Sequence, residues 1–248
     1  MSEEIVYGAH SVESLLSSHP DIIEILWLEP QSQQGRLRNI YQLAMKKGVT
    51  IESCSQSELS QKLSGKRHQG VAAKCRRLSL LGDQDLMEML DNHSSLPSLI
   101  LILDGVQDPH NLGACLRSAE AAGVFAVIIP KDNAATLTAT VHKVSCGASW
   151  RIPLVSTPNV VRVIRKLQQI QYWVVGLDMH AENSLYEMDL KQPTVMILGA
   201  ENQGLRRLTK ENCDFLASIP MQKTVESLNV SVATGVCLFE AKRQQLSC

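Results

Sequence analysis

The run Leu99-Ile100-Leu101-Ile102-Leu103 restricts the fold more than any other stretch of the chain. An apolar segment with no polar position in alternation suits a strand covered on both faces, and such strands belong to parallel sheets walled by helices. A polar loop follows at once, Asp104-Gly105-Val106-Gln107-Asp108-Pro109-His110-Asn111-Leu112-Gly113, and then a helical pattern with Leu112, Cys115, Leu116 and Ala119 on one face. Further strands are expected at Phe125 to Ile129, Tyr172 to Leu177, Val195 to Leu198 and Phe215 to Ile219. Helices fill the gaps, which predicts an α/β domain with a mostly parallel sheet over 99–248.

The front of the chain reads as a separate, smaller α/β domain over 1–74. Ser11 is expected to cap a helix to Leu16, and Ile22 to Leu28 to form a strand. A helix from Leu37 to Lys47 stops at Gly48; strand Val49 to Ser53, helix Ser57 to Leu63 and strand Val71 to Ala73 follow. Residues 75–98 read as a linker with one amphipathic stretch (Leu86, Met89, Leu90) and a breaker cluster, Asn92-His93-Ser94-Ser95 with Pro97.

Composition narrows the class. With 248 residues, 44% hydrophobic and 20% charged, the chain can bury a core without a metal or disulfide staple. Seven cysteines, an odd number with no Cys-x-x-Cys pair, predict reduced thiols, no zinc site and a cytoplasmic setting. The acidic start, Met1-Ser2-Glu3-Glu4, and the absence of an apolar run near 20 residues predict no secretion signal and no membrane span. A formal net charge of −1 argues against a strongly basic nucleic-acid binder. Yet Lys62, Lys66, Arg67, Lys74, Arg76 and Arg77 crowd into sixteen residues. That run is read either as a solvated face or as a phosphate-contacting surface, since polyanion affinity follows local cations.

Ligands of open α/β sheets bind beyond the carboxyl ends of the strands, and three such ends carry unusual loops. In the first, Asn111 suits a helix N-cap, and Arg117 stacks four residues after Gly113. The guanidinium can lean toward the free amides at the helix start and form a phosphate site, or stay a surface cation beside a simple cap. The second, Gly199-Ala200-Glu201-Asn202-Gln203-Gly204, lacks the Lys-Ser/Thr of a nucleoside-triphosphate loop and presents Glu201 on a tight turn. The third joins Ile219-Pro220-Met221 to Ser227-Leu228-Asn229-Val230-Ser231. There Ser227 suits an N-cap, and Leu228, Val232, Gly235, Val236 and Phe239 form one stripe expected to be buried. No metal cluster and no Ser-His-Asp arrangement is visible.

In order, Asn111-x-Gly113-x-x-x-Arg117, Leu198-Gly199-x-Glu201-x-x-Gly204, Ile219-Pro220-Met221 and Ser227-Leu228-Asn229-Val230-Ser231 resemble the three motifs of the SpoU branch (SpoU/TrmH type) of SPOUT RNA methyltransferases. At the front, Tyr7-Gly8-x-His10-x-Val12 and His68-Gln69-Gly70-Val71 resemble the substrate-binding domain of the 23S ribosomal RNA guanosine 2′-O-methyltransferases. The resemblance implies a C-terminal SPOUT domain with a deep trefoil knot, preceded by an L30e/L7Ae-like RNA-binding domain. It also implies an S-adenosyl-L-methionine cofactor, a homodimer, and methylation of a guanosine ribose in 23S ribosomal RNA, in the peptidyl-transferase loop region.

Carried onto this chain, Gly199, Ile219 and Leu228 would hold the cofactor, and Asn111, Arg117, Glu201, Ser227 and Asn229 would form the catalytic pocket. A guanidinium stays protonated, so Arg117 is read as an anchor for the phosphate beside the target ribose and not as a base. The rival readings are a tRNA ribose 2′-O-methyltransferase and a non-catalytic RNA-binding ribosome-assembly protein.

Overall fold

A computed structural model describes residues 3–30, 35–95, 98–200, 203–222, 224 and 227–246. They form two compact units, Met1–Ser79 with Leu137–Arg151, and Leu80–Thr136 with Ile152–Cys248.

The first unit runs β1 (Glu3–Tyr7), α1 (Ala9–Ser18), β2 (Ile23–Leu28), α2 (Gly35–Lys47), β3 (Ile51–Ser53), α3 (Gln56–Lys62) and β4 (Val71–Arg76). Its mixed sheet has the order β1-β4-β2-β3, with β2 and β3 parallel and the other pairs antiparallel. Strand alternation sends Val71, Ala73 and Cys75 to one buried cluster and Ala72 to the other, beside Tyr7 and Trp27. Strand β1 had no counterpart in the expected elements. Ser11 is not the cap expected of it: α1 begins at Ala9 after Gly8 (φ +93°), and the buried Ser11 hydroxyl donates to the His142 carbonyl.

The second unit adds α4 (Asp83–Asp91), β5 (Leu99–Asp104), α5 (Pro109–Ala122) and β6 (Val127–Pro130). The next helix, α6 (Ala139–Val144), belongs to the first unit. Then come β7 (Leu154–Thr157), α7 (Val160–Gln169), β8 (Trp173–Leu177), β9 (Thr194–Gly199), α8 (Arg207–Glu211), β10 (Phe215–Ala217) and α9 (Val230–Leu246). The sheet order is β10-β8-β9-β5-β6-β7, and all of its pairings are parallel. All six residues of β5 are buried, as its unbroken apolar run demands. Within the stretch read as a linker, α4 buries Leu86 and Leu90 in this unit's core.

From β5 the chain steps outward through β6 to β7, then returns to β8 and β9 on the other side of β5. Loops leaving the carboxyl ends of β5 and β9 therefore diverge from adjacent strands, where open parallel sheets form ligand crevices.

Candidate active site

Two cavities lie at the carboxyl ends of these strands. One, of about 400 Å³, is walled by Leu177 and Asp178 at the end of β8, Leu198 and Gly199 at the end of β9, and Ala217 at the end of β10 with Ile219 and Met221 beyond it; Ser227, Leu228 and Val230 close it. Its size falls within the roughly 300–1,000 Å³ of small-molecule sites. The other, of about 470 Å³, takes Asp104 from the end of β5, Gln107 and Asp108 from the loop after it and Asn111 from the first turn of α5, with Asn133, Gln203 and Arg206. Ala200, Gln203 and Gly204 line both, so the loop after β9 is the partition between an apolar and a polar chamber.

That partition is a tight turn. The Gly204 amide donates to the Ala200 carbonyl at 2.8 Å, and Gly204 sits at φ +62°, in the left-handed region. Gly199 answers a different need, because a Cβ there would overlap the backbone of Gly204 and the amide of Leu205. Asp104, buried at the end of β5, ties the two loops together: its Oδ2 accepts from the Arg206 amide at 3.3 Å, and the Arg206 Nε stands 3.5 Å from Oδ1.

The structure brings Gly199, Ile219, Leu228 and Ser227 into the apolar cavity, and Asn111 into the polar one. Asn229 joins the walls. Its Nδ2 donates to Asn111 Oδ1 at 3.0 Å, while its Oδ1 accepts from the Ser231 amide at 2.9 Å. Arg117 is exposed on α5 and lines neither cavity. Glu201 lies outside the described residues.

Three expectations need correction. Asn111 is not the N-cap of α5. The carboxylate of Asp108 takes that place, accepting from the amides of His110 at 3.1 Å and Asn111 at 3.2 Å. Pro109 follows at the first helical position, where its missing N–H costs nothing. A carboxylate on those amides leaves no phosphate site at this helix start, so any anion grip by Arg117 rests on the guanidinium alone. Ser227 is not the cap of α9, since Asn229 supplies it through both Oδ1 and its carbonyl, which accepts from Ala233. The stripe of α9 expected inside is only half-buried at Leu228, Gly235 and Val236, and two of its members are outside: Val232 is 52% and Phe239 49% exposed, and Val230, Cys237, Leu238 and Ala241 are buried instead.

Sequence reasoning missed Asp178, His180 and Lys210 in the apolar cavity and Asn133 in the polar one. A signal for Asp178 existed, because it is the first polar residue after the run Val174-Val175-Gly176-Leu177. Burial alone would raise the Asp178 carboxyl, but the Lys210 ammonium and the His180 amide hold it below the usual carboxylate range.

Comparison with known proteins decides the family. The SpoU rRNA Methylase family matches residues 98–239, and the RNA 2′-O ribose methyltransferase substrate-binding family matches residues 5–81. The chain belongs to the SpoU rRNA methylase family. Among SpoU relatives, the 23S rRNA (guanosine-2′-O-)-methyltransferase of Pseudomonas aeruginosa is 51% identical over 98% of this chain and 97% of its own. An RNA 2′-O ribose methyltransferase of solved structure has a TM-score of 0.78 at 27% identity, covering 98% of this chain and 89% of that one. The SpoU methyltransferase AviRb from Streptomyces viridochromogenes, crystallised with the cofactor AdoMet, shares the fold. Its TM-score is 0.80 at 22% identity, over 99% of this chain and 92% of that one.

Proposed function

We propose that this SpoU-family chain is an S-adenosyl-L-methionine-dependent RNA methyltransferase that methylates the 2′-hydroxyl of a guanosine ribose in 23S ribosomal RNA. The carrying observation is the partition formed by Ala200, Gln203 and Gly204, which puts an apolar cavity of nucleoside size back to back with a polar one. The relatives named above supply the substrate by likeness.

The cavity fits the cofactor on its own terms. Leu198, Leu205, Ile219 and Leu228 offer apolar walls to an adenine ring. The backbone groups of Ile219 and Leu228 stand at the cavity wall, where the ring nitrogens would meet them. When bound, S-adenosylmethionine supplies an electrophilic methyl group. The remaining work falls to the chain. Gly199 and Gly204 hold the partition thin, and Asn229 and Asn111 lock the first turn of α5 to the start of α9. The ribose hydroxyl must shed its proton as it attacks. Arg117, always charged, grips the neighbouring phosphate and stabilises the developing alkoxide, and the proton leaves through that phosphate or water. Glu201 and Ser227 complete the pocket in this reading.

The proposed division is a substrate-binding domain of L30e/L7Ae type over 1–74, a linker over 75–98 and a SPOUT catalytic domain over 99–248. The deep trefoil knot is carried on family membership alone. A homodimer is supported by the exposed apolar face of α9, and a cytoplasmic location by the ribosomal substrate. No helix among the described residues is long and apolar enough to cross a membrane.

Ribose methylation mapped across ribosomal and transfer RNA, in cells with and without the gene, tests the substrate. Loss at one 23S guanosine is expected; loss confined to a tRNA position overturns the ribosomal assignment. For Arg117, Arg117→Ala should abolish methyl transfer with cofactor affinity unchanged, and Arg117→Lys should recover it only in part. Full activity in the alanine variant sinks the phosphate role.

A further inference from the structure

We propose that Asp178 binds the cofactor by accepting hydrogen bonds from the two ribose hydroxyls of S-adenosylmethionine. The inference rests on the methyltransferase reading and adds a residue outside the three motif loops. Asp178 stands immediately beyond β8, and β8 lies between β9 and β10 in the sheet. It therefore reaches the cavity from beneath, between the strand ends that carry Gly199 and Ile219. The other walls are mostly apolar, and the sugar of a nucleoside needs polar partners wherever it is buried.

The carboxylate is arranged to receive it. Oδ1 accepts from the His180 amide at 2.8 Å, and Oδ2 accepts from the Lys210 ammonium. Each carboxylate oxygen has about two acceptor directions, so each keeps one unused by these bonds. Two acceptors on one carbon match two hydroxyls on neighbouring ribose carbons, and acidic groups near strand ends of other parallel sheets hold ribose in this way. The pair is lopsided: the Asp178 side chain is 12% exposed and that of Lys210 42%, so the acid is the member turned inward. Lys210 also selects among donors. It neutralises the carboxylate and repels a second cation, which favours the neutral hydroxyls over the α-ammonium at the amino-acid end of the cofactor.

Calorimetric titration of the full-length protein and its Asp178→Ala and Asp178→Asn variants tests this without turnover. The ligands are S-adenosylhomocysteine, 5′-methylthioadenosine, and the 2′-deoxy and 3′-deoxy forms of the latter. Loss of hydrogen bonds to a charged group should weaken the first two ligands equally in Asp178→Ala, by about 10- to 100-fold. Asp178→Asn keeps one side-chain oxygen and should fall between. Each deoxy ligand keeps one hydroxyl, so it should bind the wild type more weakly and lose less than its parent in Asp178→Ala. An equal loss on ribose and deoxy ligands would mean a damaged cavity and overturn the assignment. So would a loss seen with S-adenosylhomocysteine but not with methylthioadenosine, which would move Asp178 to the amino-acid end, or no loss at all. If the wild type binds none of these ligands, the cofactor reading itself fails and takes this one with it.

Discussion

The side-chain amide of Asn229 does two jobs with its two ends. The oxygen caps α9 at Ser231, and the nitrogen donates to Asn111 across 118 residues of sequence. An aspartate would keep the cap, and its charge would favour the helix start. It would also replace the donor facing Asn111 with an acceptor, so the Asn111 amide must turn over to donate. Asn229→Asp is therefore expected to unfold within a few degrees of the wild type, because the change reverses one exposed hydrogen bond worth about 1 kcal/mol. Methyl transfer should nonetheless drop by about 100-fold, since a misplaced polar group at a reacting centre costs that order. Thermal unfolding and single-turnover transfer measured side by side decide it; unimpaired transfer would remove the amide pair from the machinery. Which residue caps each helix was not legible from sequence. Asp108 and Asn111 are both good caps, as are Ser227 and Asn229, and local preference does not separate them. Pro109 settles the first pair through its fixed backbone, and the contact with Asn111 settles the second.

At the scale of elements, the two glycines of the partition have unlike reasons to exist. Gly204 needs its left-handed backbone, and a methyl group added there would meet nothing within 4 Å, whereas Gly199 has an ordinary backbone and no room. Gly204→Ala should cost about 1 kcal/mol of stability and leave a working site. Gly199→Ala cannot be absorbed by a side-chain shift, because the obstruction is backbone, so the turn must open and the cofactor cavity with it. Denaturant unfolding and S-adenosylhomocysteine binding should thus separate the variants: a small stability loss with retained binding for one, and lost binding for the other. Equal behaviour would show that the turn is not the partition it is taken for. The spacing of these glycines and the buried strands around them were legible because continuous apolar runs and tight turns leave local signatures. Strands β1 and β7 were not: β1 opens on two acids and β7 has four residues, and both exist through pairing with distant strands.

The fold leaves α9 with two apolar faces and covers one of them, with α5 and strand β9. The inward face packs Val230, Cys237, Leu238 and Ala241 and satisfies its polar members internally. Gln244 accepts from the Leu190 amide at 2.9 Å, and Glu240 accepts from Gln244 at 2.7 Å. The outward face sets Val232, Phe239 and Leu246 seven residues apart, at 52%, 49% and 75% exposure. Sequence periodicity picked the wrong side, because a helix that is apolar on two sides has no preferred inside until its partners are placed. A seven-residue repeat is the spacing by which one helix seats against another. Each such side chain stabilises by about 1.5–3 kcal/mol when fully buried, and a two-fold contact would bury the set twice. Val232→Lys with Phe239→Lys places two charges on that seam while leaving the inward face intact. The doubly substituted chain is expected to sediment as a folded monomer at micromolar concentration, and the wild type as a dimer. Methyl transfer should fall with it, because the start of α9 carries Val230, a wall of both cavities, and Asn229 beside it. A wild-type monomer, or a dimer undisturbed by the two lysines, would mean that the outward face of α9 serves some other contact.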